Sequence, residues 1–223
     1  MSVEAAMVAH RESDISSAQN LLRVIARAGA AETLAHEERT AVLARELAAI
    51  HGVDPDRAEL AALVHDVAAH YSDVDLAILA ERFDIPVSYA AARLPTLLHG
   101  SVGAELLRRE YGVRDEELLD AVRDHVVGGP LMSRLAKIVF IADKVEPGRD
   151  NFTGGLDSIR DEARRSLDRA MLLLYSSRTV DLVARGLPID ENMVAGRNML
   201  LEAVPTLMRD DMDGFANAWT VKP

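Results

Sequence analysis

The sequence contains no cysteine among its 223 residues. That absence excludes disulfide bonds, thiolate zinc sites and cysteine nucleophiles. Aromatic residues make up only 4% of the chain, so the core must consist mainly of small aliphatic side chains. The remaining composition, with 49% hydrophobic and 27% charged residues, is typical of a soluble globular protein.

Long apolar runs are also missing. No segment approaches the roughly 20 consecutive apolar residues that a membrane span requires. The first residues, MSVEAAMVAHRESD, lack the basic region and apolar stretch of a secretory signal. We therefore expect a cytoplasmic protein with no membrane partner.

Positive charge is scarce. The chain has 25 basic and 36 acidic residues, which gives a formal net charge of −11. This balance argues against DNA, RNA or an anionic membrane as a partner. A small anionic substrate stays compatible with it, because metal ions or a local group of basic side chains can outweigh the overall field.

Patterns typical of β-strands are nearly absent, and the apolar spacing is helical almost throughout. The sequence therefore predicts an all-α fold, a single bundle of about eight to ten helices over residues 16–208, with tails at 1–15 and 209–223. The predicted helices span 16–28, 33–50, 55–69, 73–82, 98–111, 115–127, 132–145, 156–185 with a break near 168, and 190–208.

Six ionisable side chains fall on apolar faces of these predicted helices. They are His36, His65, Asp66, His99, His125 and Asp143. A single such histidine is most simply a core residue that hydrogen-bonds a backbone carbonyl, and a single such aspartate a partly buried carboxylate at a helix end. Six of them on five helices would each cost several kcal/mol if buried without a partner, so something must compensate them together.

Bound metal can provide that compensation. Four imidazoles and two carboxylates are nitrogen and oxygen ligands suited to divalent transition metals. Six ligands exceed what one catalytic metal takes while it keeps an open position, so two metals bridged by one carboxylate fit better. These ligands suit iron, manganese and nickel alike.

The order of these residues resembles a known signature. His36, then His65-Asp66, then the distant Asp143 is similar to the H…HD…D pattern of the HD-domain metal-dependent phosphohydrolases. Further short motifs resemble the YqeK branch of that family: Leu97-Leu98-His99-Gly100, His125 with Gly128, Met132-Ser133, Leu135, Lys137, Ala142-Asp143 and Glu146-Pro147-Gly148-Arg149. The pattern covers about residues 20–200.

The resemblance implies a helical HD-domain fold with a di-iron centre. It implies an activity as well, the symmetrical hydrolysis of the nucleotide diadenosine tetraphosphate to two ADP. Carried over by position, one metal is held by His36, His65 and Asp143, the other by His99 and His125, and Asp66 bridges them.

The chain departs from the family pattern at several positions. Ala69 stands where the family usually has a lysine, and Val126 and Val127 stand where it usually has two threonines. The segment 37–40, Glu-Glu-Arg-Thr, replaces a small polar residue followed by apolar ones. All six ligand positions are kept, so the departures bear on rate and substrate choice more than on metal binding.

We expect Asp66 to act in catalysis through the metals, and Lys137 and Arg149 to stabilise charge on the substrate phosphates. Two alternatives stay open. One is a broader nucleotide or phosphate-ester hydrolase on the same metal site. The other is a nucleotide-binding regulatory protein that keeps the metals but has little turnover. An apolar helix face left over after core packing would permit a homodimer.

Overall fold

A computed structural model describes residues 31–149 and 155–203 of the chain. These residues form nine α-helices and one 3-10 helix, with no strand among them. The all-α prediction is thus confirmed. The helix predicted at 16–28 and both predicted tails lie outside the described residues.

The helices follow one another in this order: α1 (Ala31–His51), α2 (Pro55–Val64), α3 (Asp73–Arg82), the 3-10 helix (Pro95–Leu98), α4 (His99–Arg109), α5 (Glu116–Asp124), α6 (Arg134–Val145), α7 (Leu156–Arg165), α8 (Leu167–Ala184) and α9 (Glu191–Ala203). Of the described helices, none is both long enough and apolar enough to cross a lipid bilayer.

Helix α6 is the centre of the bundle. It packs against α1, α2, α5, α7 and α8. Its side chains are buried nearly all round, from Leu135 to Val145, because the run KIVFIA offers apolar groups to every side. Asp143 lies in this buried run and is 4% exposed, so the fold itself carries a carboxylate into the core.

A second, smaller apolar cluster joins α3, the 3-10 helix and α4. Its buried members are Ala68, Leu76, Ala80, Phe83, Ala91, Leu98, Val102 and Leu106. This cluster anchors the start of α4, where His99 is the first residue. This cluster therefore helps to hold His99 in place.

Two helices end earlier than the apolar pattern predicts. Helix α2 ends at Val64 rather than at 69, and α5 ends at Asp124 rather than at 127. The residue after each end is a histidine, and its Nδ1 bonds the carbonyl three residues back. This carbonyl is one that a continued helix would offer to the amide four residues on, so the imidazole competes with the helical ladder.

The predicted break near 168 lies at Ser166. Its backbone is extended, and its hydroxyl accepts a hydrogen bond from the Arg169 amide, which caps α8. The predicted helix at 73–82 matches α3 over its whole length.

Candidate metal centre

Four histidines reach the centre of the fold from different helices. His65 and His125 cap the C-terminal ends of α2 and α5. His99 opens α4, directly after the 3-10 helix, and His36 projects from α1. His65, His99 and His125 all lie at helix ends, and their side chains meet at the point where these helix ends come together.

Backbone hydrogen bonds select the tautomer of three of these rings. His65 Nδ1 lies 2.6 Å from the Ala62 carbonyl oxygen, and His99 Nδ1 lies 2.6 Å from that of Thr96. His125 Nδ1 lies 2.7 Å from the Val122 carbonyl oxygen. A carbonyl can only accept, so each Nδ1 donates a proton and each Nε2 keeps its lone pair when the ring is neutral.

Asp66 lies between these Nε2 atoms. Its Oδ1 is 3.3 Å from His99 Nε2 and 3.2 Å from His125 Nε2. Its Oδ2 is 3.3 Å from His65 Nε2. The two oxygens of one carboxylate thus face two different sets of nitrogens, which is the arrangement a bridging ligand needs.

A second carboxylate completes the other side. Asp143 Oδ1 lies 3.1 Å from His36 Nε2 and 3.6 Å from His65 Nε2. The ligand atoms of His36, His65 and Asp143 all lie within 4.8 Å of one another, as do those of His65, Asp66 and His125. The structure therefore brings together all six residues that the sequence selected.

The chemistry of the donor atoms indicates which kind of ion the cluster suits. His65 Nε2 is buried and has no hydrogen-bond partner. His99 Nε2 and His125 Nε2 lie 3.0 Å apart, and in the neutral rings both are acceptors. Lone pairs that face each other and two carboxylates repel unless a cation lies among them, so the residues present fit divalent metal binding through nitrogen and oxygen.

The pKa values agree with ligand chemistry. Burial raises the pKa of Asp66, but the neighbouring His65, together with His125 and His99, lowers it well below its usual range. Burial lowers the pKa of His125 to about 4. At neutral pH Asp66 is therefore ionised and His125 neutral, the states in which each can bind a metal.

His65 responds differently because it lies between the two carboxylates. Burial lowers its pKa, but Asp66 and Asp143 together raise it well above the usual value. Asp143 itself has a pKa well below its usual range; burial opposes this shift, and Lys144, His36 and His65 produce it. Two ionised carboxylates beside one buried ring produce a negative potential that favours positive charge at this site.

Two basic side chains lie beside the cluster. Arg149 Nη2 is 2.7 Å from Asp143 Oδ1 and 3.1 Å from His36 Nε2. Lys144 donates to Asp143 Oδ2 and, at 2.8 Å, to the His125 carbonyl oxygen. Arg149 was predicted from the sequence and Lys144 was not, because its only signal was its position next to Asp143.

Lys137 is not brought to this site. Its Nζ donates to Asp168 Oδ1 at 2.6 Å, which ties α6 to α8. It does not line the cavity beside the cluster. The reason is helical geometry: Lys137 and Lys144 lie seven positions apart on one face, so the earlier one is about two turns from Asp143.

A cavity of about 500 Å³ opens beside the cluster. Asp66, His99, His125 and Asp143 line one end of it, together with Lys144 and Arg149. Three of the residues that depart from the family pattern, Ala69, Val126 and Val127, line it as well. The cavity lining beside the cluster therefore has apolar side chains where the family usually has one lysine and two threonine hydroxyls.

One buried acid was not selected from the sequence as a site residue. Glu37 is fully buried beneath the cluster, and neither of its oxygens has a hydrogen-bond partner. Burial raises its pKa to about 7. The hydroxyl of Thr40 is likewise buried and unpartnered. Both belong to the segment 37–40, where the sequence departs from the family pattern.

Comparisons with known proteins point to one family. The HD-domain model matches residues 33–148. The chain is 36% identical over 144 residues to a symmetrical bis(5′-nucleosyl)-tetraphosphatase of Bacillus subtilis strain 168, which covers 65% of this chain and 76% of that protein. A protein of the same description from Halalkalibacterium halodurans is 34% identical over 156 residues, which covers 70% of this chain and 82% of that one.

A solved structure is similar over most of the fold. The crystal structure of a predicted HD superfamily hydrolase involved in NAD metabolism, from Clostridium acetobutylicum, superimposes with a TM-score of 0.79. It is 28% identical and covers 83% of this chain and 97% of its own.

Proposed function

The chain belongs to the HD-domain family, among relatives described as symmetrical bis(5′-nucleosyl)-tetraphosphatases, and from that premise we propose that it hydrolyses diadenosine tetraphosphate to two ADP. One observation carries the proposal. Six side chains with ligating nitrogen or oxygen atoms meet beside a cavity, and Lys144 and Arg149 add positive charge next to them.

We propose that the cluster holds two divalent transition metal ions, with iron as the resident metal. His36, His65 and Asp143 would hold one ion, His99 and His125 the other, and Asp66 would bridge them. The two faces of the Asp66 carboxylate support this division. When bound, such a pair supplies a water of lowered pKa as nucleophile and stabilises charge on the attacked phosphate.

The chain contributes positive charge of its own. Lys144 and Arg149 both line the cavity and both contact Asp143, so each ends within a few ångströms of the ligand cluster. We assign them to the phosphate chain, where charge-assisted hydrogen bonds are strong. Lys137 has no such role in the proposal, because its ammonium pairs with Asp168.

The rest of the cavity suits a nucleoside. Much of its remaining lining is apolar and includes Leu174, Leu182 and Met193, with Arg178 and Arg185 also present. A volume of about 500 Å³ lies within the range of small-molecule sites. Such a wall can hold the flat face of a base while the phosphates reach the cationic end.

A specific observation favours a second candidate, a nucleotide-binding protein with little turnover. Ala69, Val126 and Val127 make the wall beside the cluster apolar, so it offers an anion no hydrogen bond from these side chains. A broader nucleotide hydrolase on the same site is the third candidate.

The test uses the full chain loaded with Fe²⁺ or Mn²⁺ and incubated with diadenosine tetraphosphate, with products separated by ion-exchange chromatography. We expect ADP alone. ATP with AMP in equal amounts would mean cleavage at another phosphate. Binding without product, at full metal occupancy, would select the regulatory protein. Comparable turnover of simple nucleotides would select the broader hydrolase.

A further inference from the structure

Glu146 is the most completely bonded carboxylate near the cluster. It caps the C-terminal end of α6 and is 1% exposed. Its Oε1 lies 3.1 Å from His36 Nδ1 and accepts from Arg39 Nη2 at 3.1 Å. Its Oε2 accepts from Arg39 Nε at 2.6 Å and from the Gly148 amide.

These contacts leave Glu146 no capacity to bind metal. An ionised carboxylate has about four lone-pair sites, and four donors take them all. Glu146 therefore accepts a hydrogen bond from His36 Nδ1, while Asp143 lies at Nε2 on the other side of the ring.

This sets His36 apart from the other three histidines. His65, His99 and His125 each donate from Nδ1 to a backbone carbonyl. Only His36, among the four, donates from Nδ1 to a carboxylate. A carboxylate behind a ligating imidazole fixes its tautomer and orientation and raises its basicity more than a neutral carbonyl does.

The position of Arg39 depends on Gly148. A Cβ atom at Gly148 would overlap the guanidinium of Arg39. Glycine at this position therefore lets Arg39 approach Glu146 with two parallel hydrogen bonds, which hold the carboxylate plane in one orientation. The run Glu146-Pro147-Gly148 and the distant Arg39 thus form one unit around the His36 ring.

We propose that Arg39 and Glu146 are positioning residues for His36, and that they strengthen one of the two metal positions selectively. The inference rests on the proposed function, since it concerns a ligand of the proposed metal pair. In this proposal Glu146 orients the His36 ring and raises its basicity, and other residues contact the substrate.

The test measures Mn²⁺ binding to the metal-stripped full chain, with free Mn²⁺ followed by electron paramagnetic resonance and fitted to two sites. Glu146→Gln removes the charge behind His36. We expect one dissociation constant to rise 10–100-fold and the other to change less than threefold. Gly148→Ala displaces Arg39 with no change of charge and should weaken the same site.

Glu38→Gln is the matched control, because Glu38 is an exposed glutamate on α1 two residues after the same ligand. It should leave both dissociation constants unchanged. The thermal unfolding of each metal-stripped variant, followed by circular dichroism, shows whether the fold is kept; a purely structural role would lower stability and weaken both sites together.

Other outcomes overturn the inference in distinguishable ways. If the wild type binds two Mn²⁺ and Glu146→Gln binds both as tightly, Glu146 does not position a ligand, although the metal pair stands. Equal weakening of both sites also contradicts the selective role. If the wild type binds no Mn²⁺, the proposed function fails and this inference fails with it.

Discussion

His99 Nε2 and His125 Nε2 lie 3.0 Å apart, and neither carries a proton in the neutral ring, because each Nδ1 donates to a backbone carbonyl. Two imidazole lone pairs at this distance repel each other. The backbone enforces the arrangement, since the histidines lie at the ends of different helices. The fold therefore holds these groups in a cluster that a bound cation would stabilise.

Removal of metal should destabilise the protein for this reason. We expect exhaustive chelation to lower the melting temperature by roughly 5–10 °C. This is the shift expected when a ligand is removed whose free concentration was about 100 times its dissociation constant. Differential scanning calorimetry with metal analysis of the same sample measures it. An unchanged melting temperature after verified metal removal contradicts the cation requirement, and readdition of metal should restore the original value.

Asp66→Ala tests the bridging carboxylate. Its two oxygens face His65 on one side and His99 and His125 on the other, so its loss should reduce the occupancy of both metals. We expect less than half a metal ion per chain by mass spectrometry. Asp73→Ala, at an exposed aspartate that opens α3, should retain wild-type metal content. Full occupancy of both sites in Asp66→Ala would exclude a bridge.

Apolar periodicity was sufficient to predict the helical fold and to select the six clustered residues. It selected His65, His125 and Asp143 because a charged or polar group stood where a buried side chain was expected. It could not predict that α2 and α5 end at these histidines, because a side chain that competes for a backbone carbonyl acts against the same periodicity.

The sequence was less informative about which charged residues lie beside the cluster. Lys137 and Lys144 occupy the same face of α6, and the sequence does not say which end of that face meets the cluster. Glu37 was noted only as part of the segment 37–40 that departs from the family pattern, yet the structure buries Glu37 and exposes Glu38. Both errors concern the rotation and depth of a helix, which tertiary packing decides.

Replacement of each lysine by methionine tests the assignment of phosphate contacts. The two are matched, since the side chains of Lys144 and Lys137 are 31% and 21% exposed. Lys144→Met should lower kcat/KM for diadenosine tetraphosphate roughly 10–100-fold, the value of a hydrogen bond to a charged group. Lys137→Met loses only its pair with Asp168 and should stay within threefold. The reverse ranking would restore Lys137 to the site.

Asp115 gives a prediction of pH dependence. It caps α5 through the Leu118 amide and forms a two-bond ion pair with Arg57, and despite burial these contacts lower its pKa. A lowered pKa in the folded state adds stability above the unfolded value, and this stability is lost as the pH falls through the folded pKa.

Asp115→Asn keeps the cap and removes the charge. We expect it to cost about 1–2 kcal/mol at pH 7, with the difference from wild type shrinking below about pH 4. Urea unfolding between pH 3 and pH 8 measures this. A difference that is constant with pH would mean that the ion pair contributes nothing, and Asp115→Ala should show an additional, pH-independent loss of the cap.

The last prediction concerns the wall that Ala69 shares with Val126 and Val127. These side chains face the same cavity as the cluster, so a lysine at position 69 would extend toward the region where the phosphates are expected. If its absence limits turnover, Ala69→Lys should raise kcat by roughly 10–100-fold, the value of one added hydrogen bond to a charged group. Lys144 and Arg149 already supply charge there, which predicts weak but measurable activity in the wild type. Ala92→Lys, an added lysine at an exposed position away from the cavity, controls for net charge. Steady-state rates at saturating metal and substrate decide the matter: an unchanged kcat in Ala69→Lys, with metal content intact, means that the missing lysine is not what limits this enzyme.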